Sequence, residues 1–240
     1  MEKENNKLGK TSVGKLILQL GLPMVLSMVL QAIYNVVDTV FVINSDAGTY
    51  GNAALTAAFP VQILMIAVGV GTGVGINALL SRKLGEKDFD AVNKIAGNGI
   101  FLSLVIYAVF LLFGLFLAKP YMRLTSSDET VIDMGATYLR ICCCLSFGSI
   151  GYTVYERFLQ STGKTTSSMI AQIAGAATNI VLDYVFVMVI RGGVAGAAYA
   201  TVIGQVASLA IAMIIHYARN KEVDGNVKHC LLYTSPSPRD

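Results

Sequence analysis

Charge is scarce in this chain. Asp, Glu, Lys and Arg make up 14% of its 240 residues, where a soluble globular chain carries about 25%. With 54% hydrophobic residues and a mean hydropathy of +0.61, a soluble domain is excluded and a polytopic membrane protein is expected. Metal-ligand patterns are missing too. The two His and four Cys hold no pair at ligand spacing, and Cys142, Cys143 and Cys144 are consecutive, so they cannot converge on one ion. They are expected to act as small apolar helix residues. No removable leader is expected: Met1 to Lys15 is polar and lacks a short apolar core with a small-residue cleavage site. The net charge of +3 does not point to nucleic acid, and no internal repeat is visible.

Two nucleotide-binding look-alikes fail on context. Gly-Val-Gly-Thr-Gly-Val-Gly (69–75) follows no strand, and Ile76 stands where the third glycine of a dinucleotide fingerprint belongs. It reads as helix packing within a membrane. Gly163-Lys164-Thr165 looks like the end of a P-loop, but Phe158 occupies the position of its first glycine.

What the chain does have is apolar length. Six runs stand out, roughly Leu16–Ile43, Ala53–Leu80, Ile95–Ala118, Gly135–Leu159, Ser168–Ile190 and Val194–Tyr217. Each suffices for a membrane helix, which needs roughly 20 residues. Lys and Arg set the orientation. Thirteen of the 18 lie at the N-terminus, in the second and fourth breaks and after the last run; four lie in the opposite set, and Arg239 is in the tail. The N-terminus is therefore expected in the cytoplasm, as segment 1–15, with a six-helix lobe over 16–217 and a cytoplasmic linker starting at 218–229. Residues 230–240, beginning at Cys230, resemble the in-frame translation of a sequencing-library adapter and are expected to be an artefact. The chain would then be a fragment of a longer one. Gly196, Ala200, Gly204 and Ser208 recur every four residues in the last run, the small-residue pattern of close helix approach.

The first run carries the chemistry. Ser27, Gln31, Asn35 and Asp38 are spaced four, four and three apart, one narrow helical stripe. A carboxylate at the centre of a membrane helix costs about 2.5 to 3.5 kcal/mol on insertion scales, so the stripe must face other helices or a wet cavity. Of the 15 acidic residues, only Asp38 and Asp183 lie well inside a run. Glu156 is near the end of one beside Arg157, where a local ion pair is expected. His216 is expected at the interface, and Met24, Met28 and Met65 as apolar filler. Asn179 stands four residues before Asp183, on the same face. With the orientation above, both acids fall in the outer half of the membrane, at a depth Tyr138 and Thr201 can reach. Carboxylates held together can share a proton, and the same oxygens could ligate sodium. A structural role, with both acids satisfied by Asn, Thr and Tyr at helix interfaces, is the plainer alternative.

Taken in order, several motifs resemble those of bacterial multidrug and toxic compound extrusion (MATE) transporters over residues 10–220. They are Pro23 with Leu-Gln-Ala-Ile-Tyr-Asn-Val-Val-Asp-Thr (30–39), the glycine run with Ser-Arg-Lys-Leu-Gly-Glu-Lys-Asp (81–88), Asn-Ile-Val-Leu-Asp (179–183), and Gly-Val-Ala-Gly-Ala-Ala-Tyr-Ala-Thr (193–201). The resemblance implies an all-α fold of two six-helix lobes, twelve helices in all, of which this is the first; the C-terminal lobe is missing. It implies a plasma-membrane antiporter driven by proton or sodium entry, exporting amphipathic, often cationic compounds by alternating access. It has no catalytic residue and no cofactor beyond the coupling ion. By the same resemblance Asp38 and Asp183 take the cation, with Asn179, Tyr138 and Thr201 as hydrogen-bonding neighbours. Gln31 and Asn35 line the cavity, and Pro23 is the hinge of the first helix. A lipid-linked oligosaccharide flippase of the same superfamily would want a cationic cavity, and no mid-membrane Arg or Lys is visible. An intramembrane aspartyl protease would want Gly-x-Gly-Asp, but Asp183 follows Ile-Val-Leu. A third possibility is a six-helix protein working as a dimer.

Overall fold

The computed structural model of the chain describes residues 12–220 and 222–225. The adapter-like stretch, the 226–229 end of the linker and residues 1–11 of the N-terminal segment lie outside the described residues. Among the described residues every regular element is helical: α1 (Val13–Ile43), α2 (Gly48–Glu86), α3 (Phe89–Leu112), α4 (Ala118–Thr125), α5 (Glu129–Cys144), α6 (Phe147–Ser161), α7 (Thr165–Asp183) and α8 (Gly193–Arg219). A π-helical stretch, Phe113–Leu117, joins α3 to α4 without a break, and a second, Tyr184–Val189, prolongs α7.

Five helical stretches are long and apolar enough to cross a membrane, and α5 with α6 makes a sixth. That sixth span departs from expectation. Gly135–Leu159 is not one helix but two, bent by 43°. The break at Leu145 and Ser146 is tolerated because it is buried in protein, where backbone groups can be satisfied internally. Ser146 is fully buried and its hydroxyl donates to the Cys143 carbonyl at 2.8 Å. The helices also outrun the apolar runs. At 39 residues, α2 is about 58 Å long at 1.5 Å per residue, well beyond a hydrocarbon core of about 30 Å. Its last turn carries Arg82, Lys83 and Glu86, which pair with one another at 3.0 and 2.7 Å. Asp88 then caps α3 by accepting from the Ala91 N–H, and Asp128 caps α5 by accepting from those of Thr130 and Val131.

In lipid, helices gain little from hydrophobic burial against each other, so close backbone approach does the work. The α7–α8 seam shows it. A Cβ on Gly175 would fall on the Ser208 hydroxyl and 2.6 Å from the Gly204 carbonyl; one on Gly204 would meet the Gly175 carbonyl at 2.8 Å. In the α2 run only alternate glycines pack. Gly69 and Gly73 face α6, with Thr153 and Arg157 pressed to 3.1 Å of the Gly73 position, while Gly71 and Gly75 face open space. That is the i, i+4 rule of a helix face. By contrast, α1 is held along one narrow stripe, Ser27, Tyr34, Asp38 and Val42, and exposes Leu18, Leu22, Val25, Met28, Val36 and others. Asp38 is therefore part of the seam by which α1 joins the lobe.

His216 is packed inside the protein. It is 1% exposed at the end of α8, with Asn220 Nδ2 3.2 Å from its Nδ1 and also donating to the Phe158 carbonyl. The last carbonyls of α8 want partners, and Lys164 Nζ donates to that of Arg219 at 2.6 Å.

Gly175→Val is expected to lower the thermal midpoint of the detergent-solubilised chain, since overpacking of this kind costs about 1 to 3 kcal/mol or more. Gly71→Ala, with nothing within 4 Å, is expected to leave it unchanged or raise it. Equal midpoints for the two would remove the seam from the account.

Candidate functional site

The first helix enters through Pro23, which has no N–H to give the preceding turn. The Ser27 hydroxyl donates to the Pro23 carbonyl at 2.9 Å, a back-bond that itself tends to bend a helix. The polar stripe starts at Ser27, but it does not stay on one face. Four residues advance a helix by about 40° more than a full turn, so Asn35 has swung from Ser27 by about twice that before Asp38 swings back. The structure divides the stripe accordingly. Ser27 and Gln31 line a cavity enclosed by α1, α2, α6, α7 and α8, with a volume of about 130 Å³. Asn35 and Asp38 line a second cavity, of about 240 Å³, between α1, α2 and α5. Asn35, expected to line one cavity with Gln31, lines the second cavity instead.

Asp38 sits at the wall between the two. It is 5% exposed, and Asp183 at the end of α7 is wholly buried. The two carboxyl groups lie within interaction range of each other, and Asn179 lies within range of Asp183. The Thr201 hydroxyl on α8 donates to Asp38 Oδ2 at 3.4 Å, a long bond. Both Asp183 oxygens, Asp38 Oδ1 and both polar atoms of Asn179 have no hydrogen-bonding partner within the protein. Two carboxylates offer only acceptors to each other, so a proton or a cation is what such a pair lacks. Neutral oxygens of Thr201 and Asn179 beside them are donors of the kind hard cations take. Asn179 and Thr201 also line the main cavity.

Tyr138 on α5 lines the second cavity with Asp38, with its hydroxyl fixed by an N–H of Gln62 at 2.8 Å. Gln62 had no sequence signal apart from being an amide within an apolar run. Nor did the π-helical stretch that begins directly after Asp183; such insertions recur at functional sites because they re-aim neighbouring side chains.

The other end of the main cavity is polar too. Glu156, Arg157 and Gln160 of α6 line it together with Gln172 and Gln205. Arg157 Nη2 is 3.6 Å from Glu156 Oε2, the expected ion pair. Gln160 bridges them, accepting from Arg157 Nη1 and donating to Glu156 Oε1. A guanidinium thus does border the cavity, but with its charge matched by Glu156. Cys142 and Cys143 are buried among apolar neighbours of the core.

The MatE family profile matches residues 23–185. Among relatives, multidrug export protein MepA of Staphylococcus haemolyticus is 27% identical over 221 residues, covering 92% of this chain and 48% of that protein. The probable multidrug resistance protein YoeA of Bacillus subtilis is 27% identical over 220 residues, 90% of this chain and 47% of its own length. The chain thus spans about half the length of the curated relatives it matches. Among solved structures, an outward-facing multidrug resistance MATE family transporter superposes with a TM-score of 0.86 at 28% identity, covering 99% of this chain and 52% of that one. A Pyrococcus furiosus transporter of the MOP superfamily, described for the reverse polarity of its binding pocket, gives 0.86 at 29% with the same coverage.

Removing one partner of a buried ion pair costs about 3 to 5 kcal/mol because the other charge is stranded. Glu156→Ala is therefore expected to destabilise the solubilised chain more than the double change Glu156→Ala with Arg157→Met. Thermal midpoints of the three proteins check this; a double variant below the single one would contradict it.

Proposed function

The chain belongs to the MatE family, and from that membership we propose that it is the first lobe of a cation-coupled multidrug antiporter. In this reading the lobe exports amphipathic, often cationic compounds across the plasma membrane by alternating access, its N-terminus in the cytoplasm and a second lobe completing the cavity. One observation carries the coupling: Asp38 and Asp183 are buried side by side with three carboxylate oxygens unpartnered. Such a pair changes its surroundings sharply when it gains or loses a proton or a sodium ion. Asp38 and Asp183 take the coupling cation, while Asn179, Thr201 and Tyr138 orient it. Gln31 lines the drug cavity, and Pro23 lets the first helix bend as the pair changes occupancy. Cation entry from outside favours the state with low drug affinity, since only a difference in affinity between two states can couple the two fluxes.

In the full-length transporter that carries this lobe, Asp38→Asn is expected to reduce drug uptake into everted vesicles to background while the protein still reaches the membrane in normal amount. The same substitution abolishes drug-induced proton or sodium movement. Efflux at the unsubstituted rate would remove Asp38 from the coupling site. Cysteine placed at Ser126 should react with an impermeant maleimide added to intact cells and cysteine at Lys87 should not; the reverse pattern would invert the orientation.

A further inference from the structure

Four glutamines line the main cavity, Gln31, Gln160, Gln172 and Gln205. Two are spoken for. Gln160 uses both ends of its amide, accepting from Arg157 Nη1 and donating to Glu156 Oε1. Gln31 lies within range of the Tyr34 hydroxyl. Gln172 on α7 and Gln205 on α8 make no hydrogen bond to any described residue. Both are half-buried, and each amide holds two N–H donors and an acceptor oxygen toward the cavity it borders. The helices around that cavity pack in a ring: α1 on α7, α7 on α8, α8 on α6, α6 on α2 and α2 on α1. In that order α2 stands opposite the seam between α7 and α8. The α2 residues that border the cavity are Met65, Ile66, Gly69 and Val70, none of them polar. Depths agree as well. Gly69 lies beside Thr153 of α6, and Gly148 of α6 beside Val206 of α8. Met65 and Gln205 are therefore within about one turn of each other in depth.

The cavity thus sets a wall with two free amides against an apolar wall. A pocket takes most of its contact area from apolar groups and its specificity from a few polar ones. Glu156 and Arg157 add no net charge to that choice, because each matches the other at 3.6 Å. Discrimination among compounds of equal charge is then left to the free amides. We propose that Gln172 and Gln205 are specificity-determining residues of this cavity. They select amphipathic compounds that carry N–H or O–H groups along one edge and an apolar face opposite. Such a compound turns its polar edge to the α7–α8 seam and its apolar face to α2. An analogue without those groups leaves two amides covered and unpaired, the case in which a pocket discriminates most. The proposal rests on the reading of this cavity as the drug cavity and names the chemistry by which it sorts.

The probes are ethidium and its analogue lacking both ring amino groups, planar cations of equal charge that differ in hydrogen bonding. Binding of each to the solubilised full-length transporter that carries this lobe is measured by equilibrium dialysis. The unsubstituted protein is expected to bind ethidium about tenfold more tightly than the analogue, as two net hydrogen bonds allow. Gln172→Met with Gln205→Met, apolar and of similar length, should reduce that preference to about twofold or less. Either substitution alone should bring it to about threefold. Affinity for the analogue should hold or rise, which separates a lost contact from a damaged cavity. Equal affinities in the unsubstituted protein, a preference unchanged in the double variant, or both cations weakened alike would overturn the assignment. The expected preference in a transporter without cation-driven efflux would count against the antiporter reading and leave the amide wall standing. Binding of neither probe to the unsubstituted protein would remove the drug cavity and the wall together.

Discussion

A carboxylate buried in a membrane helix must find something to neutralise it, and much of this lobe's arrangement follows from that requirement. Asp38 holds α1 to the lobe through a stripe that is otherwise apolar or weakly polar, and it reaches Thr201 on α8 and Asp183 on α7. A lone acid could be satisfied by hydroxyl and amide donors and then serve only as glue. Here the donors present do not close on the acids. Thr201 supplies one long bond, and the amide nearest Asp183 makes no hydrogen bond within the protein. In the proposed reading this site takes a proton or a cation from water.

Bringing α7 and α8 close enough for this depends on the absence of side chains. Gly175 and Gly204 let the two backbones approach until a single methyl group would collide with a carbonyl. The polar residues ride on that contact: Asn179 is one turn beyond Gly175, and Thr201 three residues before Gly204. The helix then changes pitch at Tyr184, directly after Asp183. The wider turn gives up ideal hydrogen bonding at the place where the site needs a carboxylate aimed inward, the usual setting in which such irregularity persists.

Much of this was legible in the sequence, for physical reasons. Lipid demands long apolar runs and punishes buried charge, so six spans and two anomalous acids are visible without coordinates. Small residues at steps of four report a seam for the same reason. What was not legible depends on rotation and on partners. Asn35 looked like a neighbour of Gln31, but accumulated twist carries it into a different cleft. Gln62 is one amide in an apolar run, and nothing in its flanks announces Tyr138, 76 residues away. The bend between α5 and α6 lies in an unbroken apolar stretch, where Ser146 bonds to a carbonyl three residues back; no Pro or Gly stands at the break to mark it. Only Gly69 and Gly73 of the glycine run pack against α6, and only the phase of the helix says which.

The position of Asp38 at the wall between two cavities bears on how two fluxes could be linked in one lobe. If drug and cation shared one chamber, competition for space would suffice to couple them, and the acid could lie anywhere along it. A carboxylate that lines one chamber and is bonded to a residue lining the other works differently: what changes is the hydrogen bonding presented to one chamber when the other is filled. In the proposed reading Thr201 transmits such a change, since it borders the main cavity while its hydroxyl donates to Asp38. A protonated Asp38 no longer needs that hydroxyl as a donor, and Thr201 is then free to turn toward whatever occupies the cavity. On its main-cavity side α7 and α8 meet through Gly175, Gly204 and Ser208 rather than through large side chains. The same small residues that close the seam therefore keep the two compartments within one hydrogen bond of each other.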